Sequence, residues 1–427
     1  MTATLIVGAC QAGVQIASIL RERGETGPIY LVGEEPHRPY QRPPLSKGWI
    51  KGELQPDDVI LRSRDWFAER DIELITGDRV VTVHRAADGS GTATTEGGRS
   101  IAFDRLALTT GASARKLQIK GTDYHGVHYL RDADQAITLQ PALADDEVQN
   151  IVVIGGGFIG LESATVARGL GKNVTVLEAA PRLVGRVVAE ETSAFYLDAH
   201  RRRGMQIVLN ARISHLIGGD AKVAGQRGSV TGVALEDGTV IPADLVLIGV
   251  GVIPRTELAY QLGLDVDGGI SVDASARASD GKTVAAGDCT MMPNPYPLGV
   301  GGRIRLESVN NALEQAKIAA ASLLGEDAEY RSVPWFWSDQ GDIKLQIAGL
   351  STGYDQVVVR GEPAEEKFSV LYYRDGQLIA ADVINHPVEF LAVKSALTKG
   401  ATIPAAAAAD VTIPLKNAVV LPDSVPA

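Results

Sequence analysis

The sequence predicts an α/β protein with two Rossmann-type nucleotide-binding domains and a third, smaller α+β domain. Three observations support this prediction. An apolar run, a glycine turn and a helical pattern follow one another twice, at 3–24 and again at 149–171. A second apolar run follows each helical pattern, at 28–35 and at 173–179. From about Ser332 onward, short alternating segments replace this pattern. A strand, a helix and a second strand in this order form the βαβ unit of nucleotide-binding parallel sheets.

The composition is that of a globular protein with more than one domain. The chain has 427 residues, of which 45% are hydrophobic and 22% are charged. Its formal net charge of −11 argues against binding to nucleic acid, because phosphate contacts need clustered Lys and Arg. No apolar run approaches the ~20 residues of a transmembrane helix, and the N-terminal segment lacks the basic start of a signal peptide. We therefore expect a cytoplasmic protein that binds neither nucleic acid nor membranes.

The first glycine turn departs from the usual nucleotide-binding pattern at one position. Gly8 and Gly13 stand at the outer glycine positions, but Cys10 occupies the middle one. A middle glycine lets the backbone approach a pyrophosphate, and the β-carbon of a cysteine reduces that approach. Ala12 precedes the last glycine, and Glu34 lies at the end of the next predicted strand. The segment is therefore predicted to be a nucleotide loop with one unusual residue.

Cys10 allows two interpretations, a neutral structural residue or a redox-active thiol. The only other cysteine is Cys289, so the chain has no disulfide framework, CxxC pair or zinc spacing. A thiolate at a helix N-terminus would also repel a pyrophosphate. These observations favour the structural interpretation, predict no metal site and fit a reducing compartment.

The second glycine turn carries the complete G-x-G-x-x-G pattern. Its glycines are Gly155, Gly157 and Gly160, with Phe158 and Ile159 between the last two. The first glycine allows a tight turn, the second allows close approach to pyrophosphate, and the third lets the helix pack on the strand. The free N–H groups at the start of the helix then favour a phosphate. The pattern predicts a dinucleotide site.

A carboxylate at the end of the following strand predicts which dinucleotide binds. Glu178 ends the strand after the second glycine loop. A carboxylate at this point accepts hydrogen bonds from ribose hydroxyls, and it repels the additional phosphate of NADP. The second loop is therefore predicted to bind NADH.

The remaining segments complete the two units and form the third domain. Residues 103–115 and 243–255 each run from an acidic residue through a strand into a glycine-containing turn, and we expect them to carry the chain between domains. Residues 281–290 are predicted to form a strand that ends in Gly-Asp, and 307–325 a long helix.

Beyond Ser332, meandering antiparallel strands are predicted, with a hairpin turn at the Asp375-Gly376 pair. Residues 387–400 should form a helix. The tail, including the alanine run at 405–409, has low complexity, and we expect it to be partly loose.

Six segments distributed along the chain are informative together. They are YQRPPLSKGWIKG (40–52), YLRDADQA (129–136), VIGGGFIGLE (153–162), AAGDCT (285–290), RLESVNNALEQA (305–316) and PWFWSDQ (334–340). In sequence and in order, these segments resemble those of the FAD-dependent, NADH-oxidising ferredoxin reductases that feed bacterial oxygenases.

The resemblance implies a glutathione-reductase-like fold with three domains. The FAD-binding domain would be discontinuous, at 1–112 and 247–328, the NAD-binding domain would occupy 113–246, and the C-terminal α+β domain 329–427. FAD and NADH would be the cofactors, and a [2Fe–2S] ferredoxin that serves an oxygenase would accept the electrons. Within the family, the branch that serves a haem-thiolate monooxygenase is favoured. We expect a monomer.

The resemblance also assigns cofactor contacts to individual residues. The FAD contacts would be Gly8, Cys10, Ala12, Gly13, Glu34, Lys47, Val80, Arg131, Asp288 and Val309. The NADH contacts would be Gly155, Gly157, Phe158, Ile159, Gly160 and Glu178. Trp337 would flank the flavin or line the path to the ferredoxin, and core filling is an equal alternative for this residue.

Lys47 and Glu162 are the catalytic residues that the resemblance implies. Lys47 would lie near flavin N5 and pair with Glu162, in the helix after the NADH loop. A buried pair of this kind needs both members, because removing one leaves an uncompensated charge. Without the resemblance, Lys47 reads as a surface lysine after a turn, and Asp288 reads as an ordinary turn residue.

Two other functions stay open from the sequence. Disulfide reductases and NADH oxidases or peroxidases share the fold, but they need a redox cysteine beside the flavin. The segment YQRPPLSKG (40–48), where such a cysteine would be expected, contains none. A flavoprotein with a binding role, similar to apoptosis-inducing factors, would be expected to carry basic patches, whereas this chain is acidic.

Overall fold

The computed structural model describes residues 2–219, 228–296 and 301–422. The helices are α1 (Gln11–Glu22), α2 (Arg64–Ala68), α3 (Ala133–Ala144), α4 (Phe158–Gly169), α5 (Glu190–Arg202), α6 (Glu257–Gln261), α7 (Val309–Leu323), α8 (Pro387–Thr398) and α9 (Ala405–Ala409). Short 3₁₀ turns occur at Pro43–Ser46, Pro56–Val59, Pro363–Glu365 and Leu415–Asn417.

The strands follow in chain order. They are β1 (Thr4–Val7), β2 (Ile29–Val32), β3 (Ile72–Ile75), β4 (Val80–Arg85), β5 (Gly91–Thr95), β6 (Ser100–Phe103), β7 (Arg105–Leu108), β8 (Ala112–Ala114), β9 (Val127–Tyr129), β10 (Asn150–Ile154), β11 (Asn173–Glu178), β12 (Gln206–Leu209), β13 (Ile213–Gly218), β14 (Val230–Leu235), β15 (Val240–Pro242), β16 (Leu245–Ile248), β17 (Val252–Pro254), β18 (Ile270–Ser271), β19 (Val284–Ala285), β20 (Thr290–Pro293), β21 (Arg303–Ile304), β22 (Trp335–Gln340), β23 (Ile343–Gly349), β24 (Gln356–Glu362), β25 (Lys367–Arg374) and β26 (Gln377–Ile384).

The chain divides into two compact units, each made of three segments. Unit 1 comprises Met1–Gln41, Pro56–Ser113 and Ile253–Phe336. Unit 2 comprises Arg42–Gln55, Ala114–Val252 and Trp337–Ala427.

Unit 1 is built on a five-stranded parallel sheet in the order β19-β7-β1-β2-β3. All four residues of β1 are buried, as expected for the central strand of a parallel sheet that is covered on both faces. The helices α1 and α7 pack together on one face, where Ile6 lies in their core. The antiparallel sheet β4-β5-β6 covers the other face, where Leu5 and Val7 pack. The predicted first βαβ unit is therefore present.

Unit 2 contains a second parallel sheet, in the order β12-β11-β10-β16-β9. In both parallel sheets, the first strand of the βαβ unit is central, and chain crossovers lead away from it in both directions. This arrangement opens a crevice at the carboxyl ends of the strands, where open α/β sheets bind ligands. The small antiparallel sheet β13-β14-β15 shares a core with β10 and β16.

The C-terminal part of unit 2 is a sheet in the order β22-β23-β26-β25-β24, with α8 packed on β23 and β26. The hairpin between β25 and β26 turns at Asp375 and Gly376, with φ angles of 49° and 74°. Two successive positive φ angles are typical of a type I′ turn, so the predicted hairpin is confirmed.

The prediction of a loose alanine-rich tail is wrong for the described part of that tail. The run forms α9, and Ala408 is buried. The buried side chain of Arg360 donates to the carbonyl oxygens of Ala408 at 3.0 Å and Asp410 at 2.6 Å, and it pairs with Glu389 at 2.6 Å. A low-complexity segment is thus fixed by a guanidinium that satisfies its free carbonyl groups.

A second buried polar group joins the C-terminal sheet to α5. Asp382, on β26, is fully buried and accepts hydrogen bonds from Tyr372 and from Thr192 of α5. Burial raises the pKa of Asp382 to about 7. Within residues 2–219, 228–296 and 301–422, none of the helices combines the length and the apolar character that crossing a bilayer requires.

Candidate functional site

The first glycine turn is held in place by steric constraints at both of its ends. Gly8 has a φ of +119°, and a β-carbon built on it would lie 2.1 Å from the carbonyl oxygen of Thr109. A β-carbon on Gly13 would lie 2.1 Å from the carbonyl oxygen of Gly8. The turn therefore admits only glycine at these two positions.

The second glycine turn repeats this geometry. Gly155 has a φ of +113°, and its β-carbon would lie 2.4 Å from the carbonyl oxygen of Gly249. A β-carbon on Gly160 would lie 2.1 Å from the carbonyl oxygen of Gly155. At the middle position, Gly157, a β-carbon would have no atom within 4 Å. The middle residue thus borders open space, and the other two border the protein backbone.

Cys10 occupies the first-loop position that corresponds to Gly157. Both residues directly precede the first residue of a helix and have negative φ angles, −132° for Cys10 and −82° for Gly157. The Cys10 thiol lies 3.8 Å from the carbonyl oxygen of Tyr40. At the matching residue Gly157 a β-carbon would meet no protein atom, so this position of the turn has room for the β-carbon of a cysteine. The β-carbon of Cys10 would instead reduce the space available to a ligand bound at this turn.

The two loops fit the pyrophosphate groups of dinucleotides. Neither α1 nor α4 carries an acidic residue in its first turn, so the partial positive charge at each helix start is not neutralised there. The open space at Gly157 is the volume that a phosphate would need, and a β-carbon would fill part of it. Phe158 and Ile159 begin α4, and Ile159 is exposed.

The two strand-end carboxylates have different partners. Glu178 accepts hydrogen bonds from the backbone N–H groups of Gly156 at 2.6 Å and Ala180 at 2.7 Å, and so lies against the second glycine loop. Glu34, in unit 1, forms an ion pair with Arg255. The backbone of Arg255 is fixed on the turn after β7 by its N–H group, which donates to the Gly111 carbonyl at 3.0 Å.

The start of α1 and the turn after β19, which both carry predicted FAD residues, lie next to each other in unit 1. A β-carbon on Gly287, the residue before Asp288, would lie 3.6 Å from the β-carbon of Ala12. The Gly287 N–H group donates to Gln315 Oε1 of α7 at 2.8 Å, and this oxygen is buried. Asp288 is half-buried in this turn.

Val309 is the half-buried first residue of α7, and Val80 is buried in the unit 1 core, where its relative exposure is 5%. The FAD contacts of these residues stay predictions.

Lys47 and Glu162 meet in unit 2. Lys47 follows the 3₁₀ turn that begins with two prolines, and its Nζ lies 2.7 Å from Glu162 Oε2. The Glu162 side chain has 2% relative exposure, against 22% for Lys47. Ser46 donates to the same Oε2 atom at 2.6 Å, and Ser338 of β22 donates to Oε1 at 2.6 Å. Both oxygens of the buried carboxylate are therefore hydrogen-bonded, and the Lys47 side of the pair is partly exposed to solvent.

Two further predicted residues lie in unit 2. Arg131 is half-buried between β9 and α3, where its carbonyl oxygen accepts from Arg42 at 2.8 Å and its N–H group donates to Gln135 Oε1 at 2.8 Å. Trp337 is half-buried on β22. Whether either residue touches a cofactor stays a prediction.

The environment of Cys289 does not support thiol chemistry at this residue. Cys289 and Cys10 are both free. Cys289 is completely buried and lies 3.6 Å from the Leu108 carbonyl oxygen, and burial raises the pKa of its thiol. A thiol in this environment stays protonated and inert.

Four residues of this site were missed in the sequence: Arg255, Gln315, Ser46 and Ser338. Gln315, Ser46 and Ser338 lie in segments that resemble the ferredoxin reductases, so the resemblance could have drawn attention to them. The roles of the four residues depend on contacts between residues that are far apart in the sequence, as in the ion pair of Arg255 with Glu34. No local pattern reports such a contact.

Comparison with known proteins identifies the family. Residues 2–316 match the family described as pyridine nucleotide-disulphide oxidoreductase, and residues 335–419 match the one described as reductase C-terminal. A ferredoxin–NAD(P)(+) reductase of Sphingomonas sp is 40% identical over 418 residues, which cover 97% of this chain and 96% of the relative. The chain belongs to the ferredoxin reductase family.

Solved ferredoxin reductases have the same fold over nearly the whole chain. The ferredoxin reductase for the CYP199A2 system from Rhodopseudomonas palustris has a TM-score of 0.90 and 39% identity, and the match covers 98% of this chain and 100% of that one. Putidaredoxin reductase, in its covalent complex with putidaredoxin, has a TM-score of 0.90 and 38% identity, with 97% of each chain covered. The predicted glutathione-reductase-like fold, the oxidoreductase activity, and FAD and a pyridine nucleotide as cofactors are confirmed by this membership.

The open middle position of the second loop yields a pair of contrasting variants. Gly157→Ala should fold with unchanged thermal stability, because its β-carbon meets no protein atom, and should weaken NADH binding by roughly tenfold. Gly160→Ala should lower the melting temperature, because its β-carbon collides with the Gly155 carbonyl oxygen. Thermal melts and NADH titrations of both variants test this. Equal melting temperatures of the two variants would contradict the packing argument. An unchanged affinity of Gly157→Ala for NADH would show that no phosphate of NADH binds next to residue 157.

Cys10 provides the reciprocal test in the first loop. Cys10→Gly should retain FAD at least as tightly as the natural chain, because removing the β-carbon enlarges the space for a phosphate. Cys10→Ser keeps the β-carbon and removes the thiol, so it is the matched control and should behave like the natural chain. FAD release during urea titration, followed by flavin fluorescence, measures retention. Weaker retention in Cys10→Gly would contradict the argument, and loss of turnover in Cys10→Ser would indicate a redox thiol.

Proposed function

We propose that this protein is an FAD-dependent reductase that takes hydride from NADH and passes electrons singly to a [2Fe–2S] ferredoxin, which serves an oxygenase. The proposal rests chiefly on full-length similarity to reductases of this kind, one of which was solved bound to its redoxin. The absence of a cysteine from residues 40–48 supports it against a disulfide reductase or a peroxidase, both of which need a redox thiol.

The cofactor sites follow from the two glycine loops. FAD would be held by the first loop (Gly8, Cys10, Ala12 and Gly13), by Glu34, Lys47, Val80, Arg131, Asp288 and Val309, and by Trp337 at the flavin. The FAD-binding domain would comprise 1–112 and 247–328, the NAD-binding domain 113–246, and the C-terminal domain 329–427. When bound, FAD supplies the conversion from two-electron hydride chemistry to one-electron transfer.

The protein's own contribution lies in the Lys47–Glu162 pair. Glu162 holds the Lys47 side chain through a charge-assisted hydrogen bond of 2.7 Å between Oε2 and Nζ, and the carboxylate itself is almost completely buried. The 3₁₀ turn at Pro43–Ser46 limits the freedom of the backbone next to Lys47, since proline fixes φ. The ammonium group of Lys47 is thereby held in one position. A positive charge that is already fixed before the reaction can stabilise negative charge that develops on a reacting flavin ring.

Glu178 is proposed to select NADH over NADPH. Its carboxylate lies against the second glycine loop through hydrogen bonds from Gly156 and Ala180. A fixed negative charge at the ribose position repels an additional phosphate. Because both of its oxygens accept backbone bonds, the carboxylate cannot easily turn away from a ligand.

The acceptor and its oxygenase are proposed from the relatives. The solved complex with putidaredoxin supports a [2Fe–2S] ferredoxin, and the relative from the CYP199A2 system supports a haem-thiolate monooxygenase as the final recipient. A monomeric state and a cytoplasmic location stay predictions.

The proposed function is tested by electron delivery. We expect NADH to reduce the bound flavin under anaerobic conditions and, through it, an added [2Fe–2S] ferredoxin, with kcat/KM for NADH at least about tenfold above that for NADPH. Glu178→Gln, which keeps the size and removes the charge, should narrow this ratio. Absorbance spectroscopy of the flavin and of the ferredoxin follows both steps. A flavin that NADH reduces but that passes no electrons to the ferredoxin would contradict the proposal, and equal use of NADPH by the natural chain would contradict the role of Glu178.

A further inference from the structure

A chain of buried polar side chains extends from Glu162 into the interior of unit 2. Ser338 Oγ lies 2.6 Å from Glu162 Oε1, Gln340 Nε2 lies 3.3 Å from Ser338 Oγ, and Gln340 Oε1 lies 2.6 Å from His200 Nε2. The side chains of Ser338, Gln340 and His200 are all completely buried. Three polar residues therefore connect α5 to the carboxylate that holds Lys47.

The strand β22 places two of these residues on one face. Side chains alternate along a strand, so Ser338 and Gln340 point to the same side and Trp337 points to the other. The turn after the strand is closely packed on α4, because a β-carbon on Gly341 would lie 2.8 Å from the Thr165 methyl carbon. The alternation in the strand thus directs one hydroxyl to Glu162 and one amide to His200.

The ionised carboxylate of Glu162 determines the direction of every hydrogen bond between Glu162, Ser338, Gln340 and His200. An ionised carboxylate can only accept, so the single hydroxyl proton of Ser338 points to Glu162. The Ser338 oxygen can then only accept from Gln340, which requires the amide NH₂ of Gln340 on that side. The Gln340 carbonyl oxygen consequently faces His200, and His200 Nε2 must donate to it.

The environment of His200 agrees with this direction. Burial lowers the pKa of His200, so the ring is neutral near pH 7 and carries one proton. That proton is on Nε2, and Nδ1, which has no partner among the described residues, is the bare acceptor. The opposite tautomer would bury an unpaired Nδ1–H donor and bring two acceptors together. The ring is stacked on Tyr196, with centroids 5.6 Å apart and an interplanar angle of 10°.

We propose that His200, Gln340 and Ser338 are positioning residues that orient Glu162 and, through it, Lys47 for reaction with the bound flavin. This inference rests on the proposed function for the identity of the reaction. Each of the three bonds donates toward the carboxylate, and hydrogen bonds aligned in this way polarise one another. Ser46 holds the second carboxylate oxygen from the opposite end, so Glu162 has one orientation in which all its bonds are made.

A positioning role predicts effects that filling the core would not produce. Loss of the Ser338 hydroxyl leaves Glu162 Oε1 without its donor, which should shift the carboxylate, and with it the ammonium of Lys47, without disturbing the NADH loop. The rate of flavin reduction should therefore change, and the affinity for NADH should not.

The decisive experiment compares three variants of the FAD-loaded protein in anaerobic stopped-flow reduction by NADH. Ser338→Ala should lower the limiting rate of flavin reduction by roughly tenfold, with half-saturation by NADH unchanged, since hydrogen bonds to charged groups are the strong ones. Ser338→Thr restores the hydroxyl and should recover the rate. Tyr196→Phe is the matched control, because it is equally buried, keeps the ring against His200 and loses a hydroxyl without a partner among the described residues. Its rate should be that of the natural chain.

A readout other than activity keeps the inference testable if a variant fails to fold. The natural chain has 7 histidines, and ¹⁵N-histidine NMR, with His200 assigned through His200→Asn, should show His200 neutral with its proton on Nε2. A proton on Nδ1, or a charged ring at pH 7, would overturn the proposed chain. The proposal would also be overturned if Ser338→Ala had the same limiting rate as Tyr196→Phe, or if Ser338→Thr did not restore the rate.

The proposed function and this inference can fail separately. If NADH reduces the flavin of the three variants with the expected pattern but no ferredoxin is reduced, the proposed function is wrong and the positioning role of His200, Gln340 and Ser338 is retained.

Discussion

The buried carboxylate of Glu162 is the constraint on which the organisation of unit 2 depends. Burying an ionised carboxylate costs several kcal/mol unless partners replace the lost water. Glu162 obtains them from two separate parts of the chain: the 3₁₀ turn and the residue that follows it, through Ser46 and Lys47, and the C-terminal sheet, through Ser338. Because these two segments must meet α4, which carries Glu162, for the carboxylate to be satisfied, the charge constrains their relative positions within the unit. The same convergence leaves Lys47 at the edge of the pair with access to solvent.

The two glycine turns show how backbone geometry separates residues that serve the fold from residues that serve a ligand. In each turn, a β-carbon built on either outer glycine would lie 2.1 to 2.4 Å from a backbone carbonyl oxygen, so any larger residue would collide with the protein. At the middle position of the second turn, Gly157, a β-carbon would meet no protein atom, so a substitution there should affect a bound ligand and not the packing of the turn. This difference explains why the chain can carry Cys10 in one loop and Gly157 in the other while both turns keep the same shape.

The sequence predicted the repeated βαβ units, the DG hairpin and the two glycine loops, because each depends on residues that are neighbours in the chain. The Lys47–Glu162 pair was predicted only through the resemblance to a family. Neither approach predicted Ser338, Gln340 and His200, since their contacts join segments that are far apart in sequence. The alanine run was misjudged for the same reason. Its order comes from Arg360, which lies on a distant strand and binds the carbonyl groups of that run.

A double-mutant cycle on the Lys47–Glu162 pair tests the central claim most directly. The rate constant of anaerobic flavin reduction by NADH would be measured for the natural chain, Lys47→Met, Glu162→Gln and the combined variant. If the two residues act as one unit, each single substitution slows reduction and the combined variant is no slower than the slower single one, because the second change removes an interaction that is already lost. Independent effects that multiply in the combined variant would contradict the account.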